Sequence, residues 1–153
     1  MQTTYAPHAF PAPSLARPGA ANPSLWRAGL ATAAMAAAAN ALLYTAGSQV
    51  ALFPQDVLIP GVKAPITLTR VVIATVVGVL GAVATLAVLR RRVARPFAIF
   101  QVVAAVVLLV SFTQPSLVLR DAPLRMVLAL NALHTMAAAL TLLVLRRAGG
   151  DKE

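Results

Sequence analysis

The chain has 153 residues, 59% of them hydrophobic and 11% charged, with a formal net charge of +9. A mean hydropathy of +0.81 is too high for a soluble domain of this size, whose polar surface would have to cover a small core, so lipid is the solvent that the composition requires. The basic excess does not indicate nucleic acid, because the arginines flank apolar segments instead of clustering on one solvated face, and the lack of cysteine excludes a lipoprotein anchor, disulfide exchange and thiolate metal sites.

Residues 1–24 hold Pro7, Pro11, Pro13, Pro18 and Pro23 with few bulky apolar side chains, and are expected to form a disordered cytoplasmic tail. A first apolar span follows over residues 28–47. Its Arg27 and Ala-rich run have the look of a secretory signal, but the long proline-rich tail before it argues for a retained helix. At 100° per residue, Gly29, Ala33, Ala36, Ala37, Asn40 and Tyr44 fall within an arc of about 100°, which predicts a packing face.

The second span covers residues 71–89, with Thr67 placed to cap the helix three residues before Arg70. Ala74, Gly78, Gly81 and Ala82, together with Thr75 and Thr85, make a stripe of small residues, expected to seat a neighbouring helix because close approach replaces the hydrophobic drive that lipid cannot supply. The third span, residues 97–114, presents Gln101, Ala104, Ala105, Leu108 and Phe112 on one side, with Ser111 at the margin. The fourth, residues 126–145, presents Asn131, His134, Thr135 and Ala138, and Asp121 precedes it as a candidate cap. Pro54, Pro60, Pro65, Pro96, Pro115 and Pro123 are all expected between spans, where a missing N–H does least harm.

At about 1.5 Å rise per residue, each span crosses a hydrocarbon core of about 30 Å. Arg17, Arg27, Arg90, Arg91, Arg92, Arg95, Arg146, Arg147 and Lys152 fall at one side, against Lys63, Arg70, Arg120 and Arg125 at the other. The positive-inside rule then predicts that both termini are cytoplasmic. The expected fold is an all-α polytopic membrane protein, a four-helix bundle over residues 25–147 with N-in/C-in topology and a short cytoplasmic tail at 148–153. Thr85-Leu86-Ala87-Val88-Leu89-Arg90-Arg91 matches Thr141-Leu142-Leu143-Val144-Leu145-Arg146-Arg147 at six of seven positions, which is either a hairpin repeat or the ordinary composition of a span's inner end.

The intramembrane polar residues concentrate toward the side away from the arginine-rich links. Asn40, Tyr44, Ser111, Gln114, Asn131 and His134 form the candidate ligand-binding set. His134 is its central hydrogen-bonding group, as the one strongly titratable side chain within a span. The competing reading is structural, with His134 bonded across the bundle to Asn40 or Asn131. Enzymatic chemistry is not expected: Asp56, Asp121, Asp151 and Glu153 are the only acidic residues and none falls in a span, so an intramembrane carboxylate pair is excluded. His134 has no partner at metal-ligand spacing, and His8 lies in the tail, so neither a metal nor another cofactor is expected.

The function expected is therefore non-enzymatic: binding of a lipid-like or small ligand, or of a membrane partner or second copy. The alternative is a small-solute transporter or transporter subunit, although ion coupling usually leaves an acidic residue in a span. The inner-end arginines are expected to attract anionic lipid headgroups in either case. Asn40-Ala41-Leu42-Leu43-Tyr44, Ile66-Thr67-Leu68, Ser111-Phe112-Thr113-Gln114-Pro115 and Leu130-Asn131-Ala132-Leu133-His134 together resemble a family of short bacterial membrane proteins, domain-of-unknown-function family 6069, over about residues 26–147. Thr113-Gln114 departs from the more apolar, proline-rich ending of that family. The resemblance implies a four-helix bacterial inner-membrane protein and supplies no mechanism.

Overall fold

A computed structural model describes residues 23–119 and 122–149. Four helices dominate it: α1 (Pro23–Gln49), α2 (Leu68–Arg92), α3 (Pro96–Val118) and α4 (Leu124–Gly149). With 23 to 27 residues each, they are about 35–40 Å long, more than the hydrocarbon thickness requires. All four carry a stretch long and apolar enough to cross a membrane, and the chain is a multi-pass membrane-helix bundle. The helices outrun the expected spans at both ends because polar residues of the interfacial turns continue the same hydrogen-bond ladder. Pro23 and Ser24, assigned to the tail by sequence, are helical, and the rest of that tail, residues 150–153 and Asp121 with its capping role lie outside the described residues.

Local chemistry explains several boundaries. Thr67 is extended (φ −117°, ψ 160°), and its hydroxyl oxygen accepts from the Arg70 N–H at 3.4 Å, as its spacing predicts. Arg90, Arg91 and Arg92 fill the last turn of α2, and Arg146 and Arg147 lie in that of α4, where cations complement the helix dipole. Pro96 opens α3 at a position that needs no N–H donor.

Pro115 corrects the sequence reading: it lies inside α3, not after it. Without an N–H, Pro115 cannot make the ladder bond to the Ser111 carbonyl, but the Leu119 N–H still closes on the Pro115 carbonyl at 3.0 Å.

Between α1 and α2 the chain makes a small antiparallel hairpin, β1 (Leu58–Ile59) and β2 (Ala64–Pro65), with Leu58 opposite Pro65 and Ile59 opposite Ala64. Pro60-Gly61 makes the turn: Gly61 has φ +83°, and the Val62 N–H reaches the Ile59 carbonyl at 3.3 Å, the arrangement in which Pro presets one central residue and Gly permits the other. The segment is tied to the bundle by Tyr44, whose hydroxyl donates to the Ile66 carbonyl at 2.9 Å and whose ring stacks on Phe53 at 4.7 Å.

The core is layered. At the hairpin end Tyr44, Phe53, Val71, Met126, Leu130 and Leu133 pack together. At the arginine end Leu25, Val83, Leu86, Phe97, Phe100 and Leu145 do so. Between them Ala33 and Ala36 of α1 meet Val79 of α2, so the small-residue face predicted for α1 is its buried face. Helix α1 packs extensively on both α2 and α4, whereas α3 is attached more sparsely and α2 and α4 barely touch. Within α3 only Phe97, Phe100 and Pro115 are buried.

Candidate ligand cleft

Pinning α3 near its ends leaves a gap along its middle, and there α2, α3 and α4 enclose a cleft of about 520 Å³. One wall is the small-residue stripe of α2: Ala74, Gly78, Gly81 and Ala82. This corrects the expectation that these residues seat a helix. Ala74, Gly78 and Gly81 are exposed, and a Cβ added to either glycine would meet nothing within 4 Å among the described residues. The tight helix contact is on α1, where a Cβ on Gly29 would stand 2.6 Å from a methyl of Val83. Helix α3 contributes Val103, Ala104, Val107, Leu108 and Ser111, while α4 contributes Leu133, His134, Ala137 and Ala138. Arg70 lines the hairpin end, and Phe100 and Leu142 line the arginine end.

Asn40 reaches this cleft from α1 although it is only 2% exposed. Its Nδ2 donates to the Thr75 hydroxyl at 2.9 Å, and that hydroxyl donates in turn to the Val71 carbonyl at 2.8 Å. The Thr75 proton being committed, the Asn40 orientation is set by the network. Asn40 Oδ1 is left buried with no hydrogen-bond partner among the described residues. A buried acceptor without a donor costs about 1–3 kcal/mol, so its presence on a cleft wall is a chemical signal.

His134 stands in the cleft and is exposed, but among the described residues it makes no bond across the bundle. Its Nδ1 lies 2.8 Å from the Leu130 carbonyl of its own helix. A carbonyl only accepts, so Nδ1 carries a proton, and in that tautomer Nε2 is the acceptor. The alternative bond from His134 to Asn40 or Asn131 is replaced by two separate ones, Asn40 to Thr75 across the α1–α2 contact and His134 to its own helix. Ser111 also lines the cleft, with its hydroxyl donating to the Val107 carbonyl at 2.8 Å.

Of the six residues expected to form a site, the cleft brings together Asn40, Ser111 and His134. Tyr44 belongs to the hairpin anchor instead. Gln114 is exposed and stands outside the cleft lining, as does Asn131, whose Oδ1 is buried without a partner among the described residues. Helical phase places residues on a face but does not say which faces converge. Arg70, Thr75, Thr85 and Thr141 are the polar lining residues that sequence reasoning did not assign to the site. Thr75 shares the Gly78 stripe, and a polar residue within a small-residue wall is the signal for it.

A model of the family of unknown function DUF6069 matches residues 20–151, a range that contains every cleft residue. No curated protein and no solved structure matches the chain.

Proposed function

The chain belongs to DUF6069, a family of unknown function, and we propose that it is a non-enzymatic membrane protein that binds a lipid-like ligand in the cleft between α2, α3 and α4. The observation that carries this reading is the unpartnered Asn40 Oδ1 beside a wall of small residues. The cleft's volume lies within the roughly 300–1,000 Å³ usual for small-molecule sites, and like them it is mostly apolar with a few convergent polar groups. From Arg70 to Thr85 it runs about 22 Å along α2 at 1.5 Å per residue, longer than the ~15 Å hydrocarbon of one leaflet. An alkyl chain fits lengthwise, with its polar group among the polar side chains.

The orientation we propose puts the arginine end in the cytoplasm of a bacterial inner membrane. In the described chain Arg27, Arg90, Arg91, Arg92, Arg95, Arg146 and Arg147 share that end, against Lys63, Arg70 and Arg125 at the other. Anionic headgroups are the partners those arginines favour.

The test is lipid analysis of the protein purified in mild detergent. Wild type is expected to retain a defined lipid through detergent exchange. Gly78→Leu, whose side chain grows into the open cleft, is expected to lose that lipid while unfolding within a few degrees of wild type. Equal retention by both proteins, or none by wild type, counts against the reading. Saturable flux of a solute into liposomes carrying the protein would favour the transporter instead.

A further inference from the structure

Most polar atoms of the cleft share one hydrogen-bonding sense. Every hydroxyl in its lining spends its proton on its own helix: Thr75 on Val71, Thr85 on Gly81, Ser111 on Val107 and Thr141 on Ala137, at 2.7–2.9 Å. His134 spends its Nδ1 proton on Leu130, and Asn40 spends an Nδ2 proton on Thr75. What remains for a ligand is mostly lone pairs, above all Asn40 Oδ1 and His134 Nε2, neither with a partner among the described residues, beside the second Nδ2 proton of Asn40. Among the described residues Arg70, at the hairpin end, is the one Lys or Arg in the lining.

This pattern sorts ligands by chemistry. Among the described residues a carboxylate or phosphate finds Arg70 and the one uncommitted Asn40 N–H as donors, so its burial deeper in the cleft, away from Arg70, would leave its charge without a counter-ion. An ammonium group meets the Arg70 charge at the hairpin end and no carboxylate inside, since Asp56 lies exposed in the loop between α1 and α2. A neutral donor meets neither penalty. Resting on the lipid-binding reading above, we infer that the polar group taken by the cleft is the hydroxyl of a long-chain lipid, donating to Asn40 Oδ1 or His134 Nε2.

The inference is tested on the full-length protein in detergent with radiolabelled hexadecanol as probe. Hexadecyl methyl ether keeps the chain and an acceptor oxygen but has no proton to donate. Unlabelled hexadecanol is expected to displace the probe about tenfold more effectively than the ether, the ratio that one hydrogen bond to a buried acceptor supports. In Asn40→Leu or His134→Phe that ratio is expected to fall toward one while ether binding persists, which also shows that the variant is folded. If ether and alcohol compete equally in wild type, the donor rule is wrong and the lipid cleft stands. Tighter binding of palmitate than of hexadecanol would overturn the rule in favour of anion capture by Arg70. If neither neutral probe nor palmitate binds, the lipid-binding reading itself falls.

Discussion

At Gly29 an added Cβ would lie 2.6 Å from Val83 Cγ2, whereas at Gly78 it would meet nothing within 4 Å among the described residues. Both glycines belong to small-residue faces of the same kind in sequence, yet one admits a neighbouring helix and the other borders a cleft. Thermal or denaturant unfolding in detergent should separate them. Gly29→Ala is expected to lose about 1–3 kcal/mol through overpacking against Val83. Gly78→Ala should be neutral, or up to about 1 kcal/mol more stable from the better helix propensity of Ala. Similar losses at both positions would contradict the placement of the cleft. The polar residues repeat the lesson. Asn40 and His134 stood out in sequence because amides and imidazoles are costly in a span, but their partners, Thr75 for one and the Leu130 carbonyl for the other, depend on rotamer and helix separation.

Among the helices α3 is the least buried. Its outward face carries Val102, Val106, Leu109 and Val110 exposed, which suits contact with lipid, and its hold on the bundle depends on a few side chains. Phe97 and Phe100, 5.9 Å apart between ring centroids, sit in the arginine-end core. Phe100→Ala should therefore lower unfolding stability by about 3 kcal/mol, the low end for such a truncation because lipid gives helices no hydrophobic reason to associate. Val106→Ala should change it by less than about 0.5 kcal/mol. A comparable loss at Val106 would mean that α3 is packed along its whole length. The matched endings of α2 and α4 also diverge in use: Leu86 is buried and its counterpart Leu142 only partly so, while Thr141 is buried and its counterpart Thr85 is not. Similar sequence at the two inner ends does not impose similar packing.

For the whole molecule the arginine asymmetry makes a prediction about sidedness. The sequence has no cysteine, so single cysteines report their own accessibility. In cells, Gln55→Cys, in the loop between α1 and α2, is expected to react with a membrane-impermeant maleimide. Ala94→Cys, in the α2–α3 link, should react only after the membrane is permeabilised. The reverse pattern would invert the proposed topology and put the hairpin in the cytoplasm. The hairpin-end mouth of the cleft, with Arg70, would change sides with it.

The sequence by itself determined the solvent, the number of spans and the helical class, because bilayer thickness and the need to satisfy every backbone group within the segment leave few alternatives. It also indicated the buried face of α1, since small residues at helical spacing allow close approach wherever a neighbour exists. Only the tertiary structure decided that Ala74, Gly78 and Gly81 border a cleft, that Pro115 lies within α3, and that Asn40, Ser111 and His134 converge while Gln114 and Asn131 do not line it. Those outcomes turn on the distances between helices. Side-chain contacts far apart along the chain set these distances, and no periodicity within a single span encodes them.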